Sequence, residues 1–366
     1  MTLAVSSLAF AQLGEDGFYR VRNYKTQRYI TVIENHGSLN YRTNSADLSA
    51  IQTLKDFWRV KSNPASIIYF EHKGTGSYGD PMYDLTAQGT SIYEIIEHYV
   101  DIKRLGSTNF YYAYKKKEGV GEVYLNDRGN RADTSNINTN DSERRAWEII
   151  PVNTDDDKFF GFQPQLEVGD KFYQTTYVSF GLQFVSSNTK AYYVDFVNGN
   201  QAVWRELEGP VPPATPVIIE SASDLAEDNK VLPLLTTPSQ VGNNKLVGVY
   251  FNCNIIDHVN HVAYDAKTMR VLGKLSDGRI GFVKATGLDY IPANTAYLKV
   301  TSSAPDEIQL VTPDEYDGIE GITVNARSEQ FDVYDLSGRL VKRNATSKTS
   351  LTKGIYVING KKVIIK

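Results

Sequence analysis

Short runs of alternating apolar and polar side chains, each ended by a polar turn, fill the chain from Gly17 onward. A period of two is the pattern of a half-buried strand. GFYRVRNYKTQRYITV, residues 17–32, predicts two strands about a turn at Asn23 to Gln27. Strand, glycine-containing turn and strand follow again in IIYFEHKGTG…PMYDLTAQGT from Ile67, and in FYYAYKKKEGVGEVYLNDRG from Phe110. Three such hairpins over about 135 residues read as three-fold repetition. Two stretches depart from the alternation. SIYEIIEHYVDIKRLG, residues 91–106, places Ile92, Ile95, Ile96, Tyr99 and Val100 on one helical face behind a Ser91/Glu94 capping pair. SADLSAIQTLKDF, residues 45–57, is a weaker helix of the same kind. Both are expected to pack against the strands.

FWRV at Phe57 and AWEII at Ala146 close the first and last units with a Trp, whereas VDIKRL near Val100 closes the second without one. With the three hairpins, this resembles the ricin-type β-trefoil, of whose Gln-x-Trp closure only the Trp is kept. The resemblance implies that Trp58 and Trp147 are barrel core. It also implies a shallow sugar pocket with an aromatic beside an amide or acid. The third unit comes closest, with Tyr111 and Tyr124 beside Asn126 and Asp127; the second keeps only Asp84 near Tyr83. An aromatic face packs on a sugar ring while amide and carboxylate accept its hydroxyl hydrogens.

Pro151 and the run Asp155-Asp156-Asp157 mark a boundary, after which strand-like segments resume. VPPATPVIIE from Val211 is echoed by IPANTAYLKV from Ile291: a branched apolar residue, Pro, two residues, Thr, then a strand. Two halves of this kind predict a β-sandwich, with residues 225–244 as its long connection. SAPDEIQLVTPDEYDGIEGI from Ser303 reads as an acidic linker. The expected division is 1–11, a residual signal peptide; 12–151, β-trefoil-like with helical inserts; 152–312, β-sandwich-like; and 313–366, linker and a small β module. The fold class is all-β.

The segment VYDLSGRLV…LTKGIYVINGKKVIIK has its pieces in order: a strand, the Ser337-Gly338 turn, Lys353-Gly354 before Ile355-Tyr356-Val357, and Asn359-Gly360 before Lys361 and Lys362. Asn-Gly between alternating runs is a strong hairpin signal. This segment is similar to the C-terminal sorting domain of the type IX (Por) secretion system. That resemblance implies passage across an outer membrane with the secretion machinery as partner, the tail commonly being removed. Residues 17 to about 300 resemble a group of exported Bacteroidetes surface proteins, through GFYRVRNYKTQRYITV, YDLTAQGTSIYEIIEHY and IPANTAYLKV, which implies location rather than chemistry.

Composition narrows the classes further. MTLAVSSLAFAQ leads to a small-x-small pattern at Ala9 and Ala11, as at a secretory cleavage site. Net charge is −4 with both signs interspersed, so nothing favours nucleic acid. No apolar run reaches the roughly 20 residues of a membrane span. The one cysteine, Cys253, excludes an internal disulfide framework and has no His/Asn constellation around it. His258 and His261 fall in a β-rich context, where residues three apart face opposite ways, so no metal is expected there. Asp155 to Asp157 lack the turn glycine and spaced ligands of a calcium loop. No GxSxG, HExxH or P-loop pattern occurs. The reading is a non-catalytic exported surface protein without cofactor that binds glycan or mucin-like material. A protein-binding adhesin, a structural surface component, and a glycosidase with a carboxylate pair hidden from sequence are the alternatives.

Overall fold

The computed structural model describes residues 13, 16–32, 51–54, 57–87, 90–91, 99–127, 132–136, 142–250, 262–316, 331–345, 351–358 and 361–365. Eleven strands form the first sheet: β1 (Gly17–Asn23), β2 (Tyr29–Val32), β3 (Ile51–Leu54), β4 (Ile68–Thr75), β5 (Pro81–Ala87), β6 (Thr90–Ser91), β7 (Tyr99–Arg104), β8 (Phe110–Lys117), β9 (Gly121–Asp127), β10 (Ala132–Asn136) and β11 (Ala146–Pro151). Six of them close a ring, β1–β4–β5–β7–β8–β11 and back to β1, with every pair antiparallel. Closure leaves those six strands no free edge. After β1, β5 and β8 the chain branches off the ring, into β2 with β3, β6, and β9 with β10.

The alternation in the sequence fills this ring. Val21, Ile68 and Phe70, Tyr83 and Leu85, Val100 and Ile102, Tyr111 and Ala113, and Trp147 are all buried and meet inside. The Trp147 indole N–H is satisfied by the Leu125 carbonyl at 3.0 Å, as a buried polar atom requires.

Three expectations need correction here. The described parts of both predicted helices are mainly strand, β3 in the weaker one and β6 and β7 in the other. In β7, Val100 and Ile102 both enter the barrel interior, so period two prevails over the helical stripe from Tyr99 on. Cross-strand pairing with β5 and β8 satisfies that backbone. Trp58 is not core: it lies in the 3-10 turn Phe57–Arg59 and is 62% exposed. Its neighbour Phe57 turns inward instead, its ring 5.6 Å from Phe159 and 6.4 Å from Tyr29.

The second body runs through β12 (Phe160–Gly161), β13 (Leu166–Val168), β14 (Lys171–Thr176), β15 (Gly181–Phe184), β16 (Thr189–Asn198), β17 (Gln201–Glu206), β18 (Val217–Ser221), β19 (Lys230–Leu234), β20 (Leu246–Val249), β21 (Met269–Lys274), β22 (Ile280–Val283), β23 (Thr295–Lys299) and β24 (Glu307–Val311). Ten strands make one sheet in the order β13-β14-β18-β16-β17-β24-β22-β21-β23-β20, and β12-β19-β15 make a second. Strand β18 explains its unbroken apolar run: Val217 and Ile219 pack toward the small sheet, while Ile218 enters a core with Leu298 and Phe282. A strand buried on both faces has no polar face to show. The Pro-Thr echo has a backbone counterpart. Ala214 and Asn294 occupy matching places and both have positive φ, 52° and 57°. Their N–H groups donate to Val178 O and Tyr250 O, respectively. The connection expected over 225–244 contains β19, and the linker expected from Ser303 contains β24, because both carry apolar residues that these cores take up.

Arg20 fastens the barrel to this second body. It is 1% exposed and donates to Ser66 Oγ, to Val60 O and Lys61 O, and across the junction to Lys158 O and Phe159 O at 3.0 and 2.8 Å. No carboxylate is among these partners; burial pushes its guanidinium down to about 9.

Four strands form the last sheet, β25 (Phe331–Tyr334), β26 (Leu340–Ala345), β27 (Gly354–Ile358) and β28 (Lys361–Ile365), in the order β26-β25-β27-β28. Its turn at Ser337-Gly338 follows from chemistry: Asp335 accepts from the N–H groups of Ser337 and Arg339 at 3.0 and 2.9 Å, and Gly338 takes φ 79°. Val333, Tyr356, Ile358 and Val363 make its core, while Lys353 and Lys362 are exposed. Gly354 opens β27 and Lys361 opens β28; Asn359 and Gly360 lie outside the described residues. Among the described residues the only α-helix is Pro313–Tyr316, and no helix is long and apolar enough to cross a membrane.

Candidate functional site

The four residues expected to form a sugar pocket are placed in the barrel wall and its interior. Tyr111 and Tyr124 are 9% and 8% exposed, Asn126 and Asp127 3% and 0%. Tyr111 points into the core. Tyr124, directly opposite Tyr114 on β8, packs outside the ring against Tyr112 and Tyr114, with centroids 5.2 and 5.6 Å away. The Arg145 guanidinium covers it at 4.7 Å, and its hydroxyl donates to Glu122. Burial first, then that carboxylate, raise the Tyr124 pKa. Asp127 accepts from the Thr26 hydroxyl and, through its carbonyl, from Arg144 at 3.0 Å. Asp127 thus ties the first unit to the third, and Tyr111 and Tyr124 offer no common open face. Sequence could name residue types suited to a sugar, but not which side of the wall each would take. In the second unit, Tyr83 is fully buried.

A carboxylate pair does come together on the same wall. Asp101 of β7 is 9% exposed, and its Oδ1 has no hydrogen-bond partner. Burial, then the charge of Asp80, raise its pKa. Asp80 accepts from the Tyr114 hydroxyl at 2.7 Å. Gly76 lies so close that a Cβ there would stand 1.7 Å from Asp101 Oδ1, so any side chain at 76 would have to displace that carboxylate. The acidic run from Asp155 is engaged in ion pairs: Asp155 with Lys158 at 3.1 Å and Asp156 with Lys230 at 3.0 Å. Cys253, His258 and His261 lie outside the described residues.

A cleft of about 560 Å³ lies between the 3-10 turn of the barrel body at Pro64–Ser66 and the second body. That volume is in the range of small-molecule sites. Asn63 sets one wall by capping the turn, accepting from Ala65 N at 3.0 Å. Strand β14 supplies Tyr173 to Thr176, and the loop before β13 supplies Gln163 and Gln165. The turn from Ile291 to Ala296 closes the far side. Side chain and backbone stitch the two walls together. Thr175 Oγ1 accepts from Ala296 N at 3.0 Å, and Asn294 Nδ2 donates to Tyr177 O at 3.2 Å. Ser62 donates to Gln163 Oε1 at 3.3 Å across the two bodies. Leu166, Leu272, Leu288 and Pro292 are among its apolar residues, and Gln163, Gln165, Gln174 and Asn294 bring amides and Ser62, Thr286 and Thr295 hydroxyls. Among the described residues, no Asp, Glu, Lys, Arg, His or Cys lines the cleft. Thr176, 1% exposed, has its hydroxyl in the wall without a partner.

These residues come from three stretches of the chain, 62–64, 162–176 and 271–296. The Gln-Pro-Gln at 163–165 and the Asn-Thr at 294–295 are their only local signal, and neither matches a chemical motif. No family model matches the chain, and no curated protein matches it. Among solved structures, a mosquitocidal holotoxin is similar at 12% identity with a TM-score of 0.25, over 94% of this chain and 42% of that one. The chain therefore spans less than half the length of that protein, and a likeness of this size carries no argument about either fold or activity.

Proposed function

We propose that this is a non-catalytic exported surface protein that binds glycan in the cleft between its first two bodies. The observation that carries the reading is the lining: apolar surface beside neutral amides and hydroxyls, with no carboxylate, amine or imidazole among the described residues. Sugars present that same mixture, a hydroxylated rim and an apolar ring face. Hydrolysis of a glycosidic bond uses two carboxyl groups flanking it, and the lining supplies neither.

The scaffold agrees with this reading at a finer level. A six-stranded closed ring with a branch after each of three strands is the plan of a β-trefoil. The two sheets of the second body, packed through Val217, Ile219 and Leu182, follow that of a sandwich. The last sheet, with Gly338, Lys353, Gly354, Tyr356, Lys361 and Lys362 on it, serves as the sorting module, read by the secretion machinery. The test is binding of the full chain to an array of defined glycans, with free oligosaccharide as competitor. Saturable binding weakened by Gln174→Ala supports the reading. A blank array on folded protein moves it to protein adhesion or a structural role.

A further inference from the structure

The cleft's lining also bears on which glycans it takes, a step that rests on the glycan reading above. Charged residues make up 22% of the chain, so among the 22 described lining residues about five charges would be in proportion, and those 22 include none. Elsewhere the two bodies pair their charges freely, as at Lys61 with Glu227 and Lys190 with Glu206. From this contrast we infer that the cleft selects uncharged saccharides and turns away their sialylated, sulfated or uronic acid counterparts.

The physical basis is desolvation. A carboxylate or sulfate brought into the recess loses water and meets no cation, an unfavourable exchange unless a partner charge is supplied. A neutral hydroxyl or N-acyl group loses less and finds partners of its own kind in Gln163, Gln165, Gln174 and Asn294. Selection of this type works by rejection: the unpaired charge is what excludes the wrong ligand. Gln174 is half-buried and Gln163 exposed, so either can be exchanged for a lysine without opening a core.

The experiment uses the full chain and matched probes: N-acetyllactosamine, its sialylated form and its sulfated form, each immobilised at equal density. Neutral binding at least tenfold tighter than acidic, about 1.4 kcal/mol, is the expected result. Gln174→Lys, with Gln163→Lys as a second variant, is expected to narrow that gap by admitting the acidic forms. Equal binding of neutral and acidic probes overturns the inference and leaves the glycan reading standing. Preference for the acidic probes also overturns it. Binding to none of the three, or to any wider set of glycans, overturns both.

Discussion

Replacing Asp101 by Asn is expected to make the barrel more stable near neutral pH. The carboxylate is 9% exposed, one oxygen has no hydrogen-bond partner, and Asp80 stands close enough to oppose its charge. Asn keeps the shape of Asp and removes the charge, so the gain is the cost of the charged form, about 1.4 kcal/mol for each unit by which the native pKa is raised. The sign with pH follows from the direction of the shift. Burial first, and Asp80 second, raise the native pKa above that of the unfolded chain, about 3.9. Between those two values the native state holds more protons, and its stability falls as pH rises. The contribution of Asp101 is therefore fully present below about pH 3.9 and is lost as pH rises through the native value. Asn does not titrate, so its advantage is largest near neutrality and closes toward acid. Hydrogen exchange of the β7 amides at about pH 7 and about pH 4, after correction for intrinsic rates, reads barrel opening alone. A variant less protected than the parent at neutral pH, or an advantage equal at both pH values, refutes the reasoning.

Two further outcomes follow from the same packing. Arg20→Met removes five donated hydrogen bonds, among them those to the carbonyls of Lys158 and Phe159 across the junction; a loss of about 3–5 kcal/mol is expected in denaturant unfolding, and a neutral result would show that the junction closes without it. Trp147→Ala is expected to cost about 3–5 kcal/mol and Trp58→Ala less than about 0.5 kcal/mol, measured by thermal unfolding; equal effects would contradict the burial of one and the 62% exposure of the other.

Where a local pattern and its tertiary setting agreed, sequence was a reliable guide. The strand runs about Tyr19, Phe70 and Tyr111 lie where alternation puts them, because each has one face to bury. The Pro-Thr echo was visible because a turn with positive φ needs the same neighbours twice. Asp335 to Arg339 was visible because an Asx-type turn is encoded within five residues. The misses share a cause. Trp58 and Phe57 are adjacent, and only Phe159, about a hundred residues on, decides which turns inward. Tyr99 to Arg104 fit a helical stripe until β5 and β8 offer backbone partners. The cleft was invisible since its walls meet only after two bodies have formed, held by contacts such as Thr175 to Ala296.

The place of β24 has a consequence for the order of assembly. It lies between β17 and β22, parallel to the first and antiparallel to the second, with Gln201 beside Gln309. The two echoed halves are thus not separable modules: the later one lends its final strand to the earlier one's sheet. A chain delivered from its N-terminus keeps the outer edge of β17 bare until residue 311 has arrived. Such non-local pairing is slow to form, and a bare edge invites pairing with other chains in the meantime. Synthesis interrupted shortly before 307 would leave a body that is nearly complete in residues yet unable to close its ten-stranded sheet.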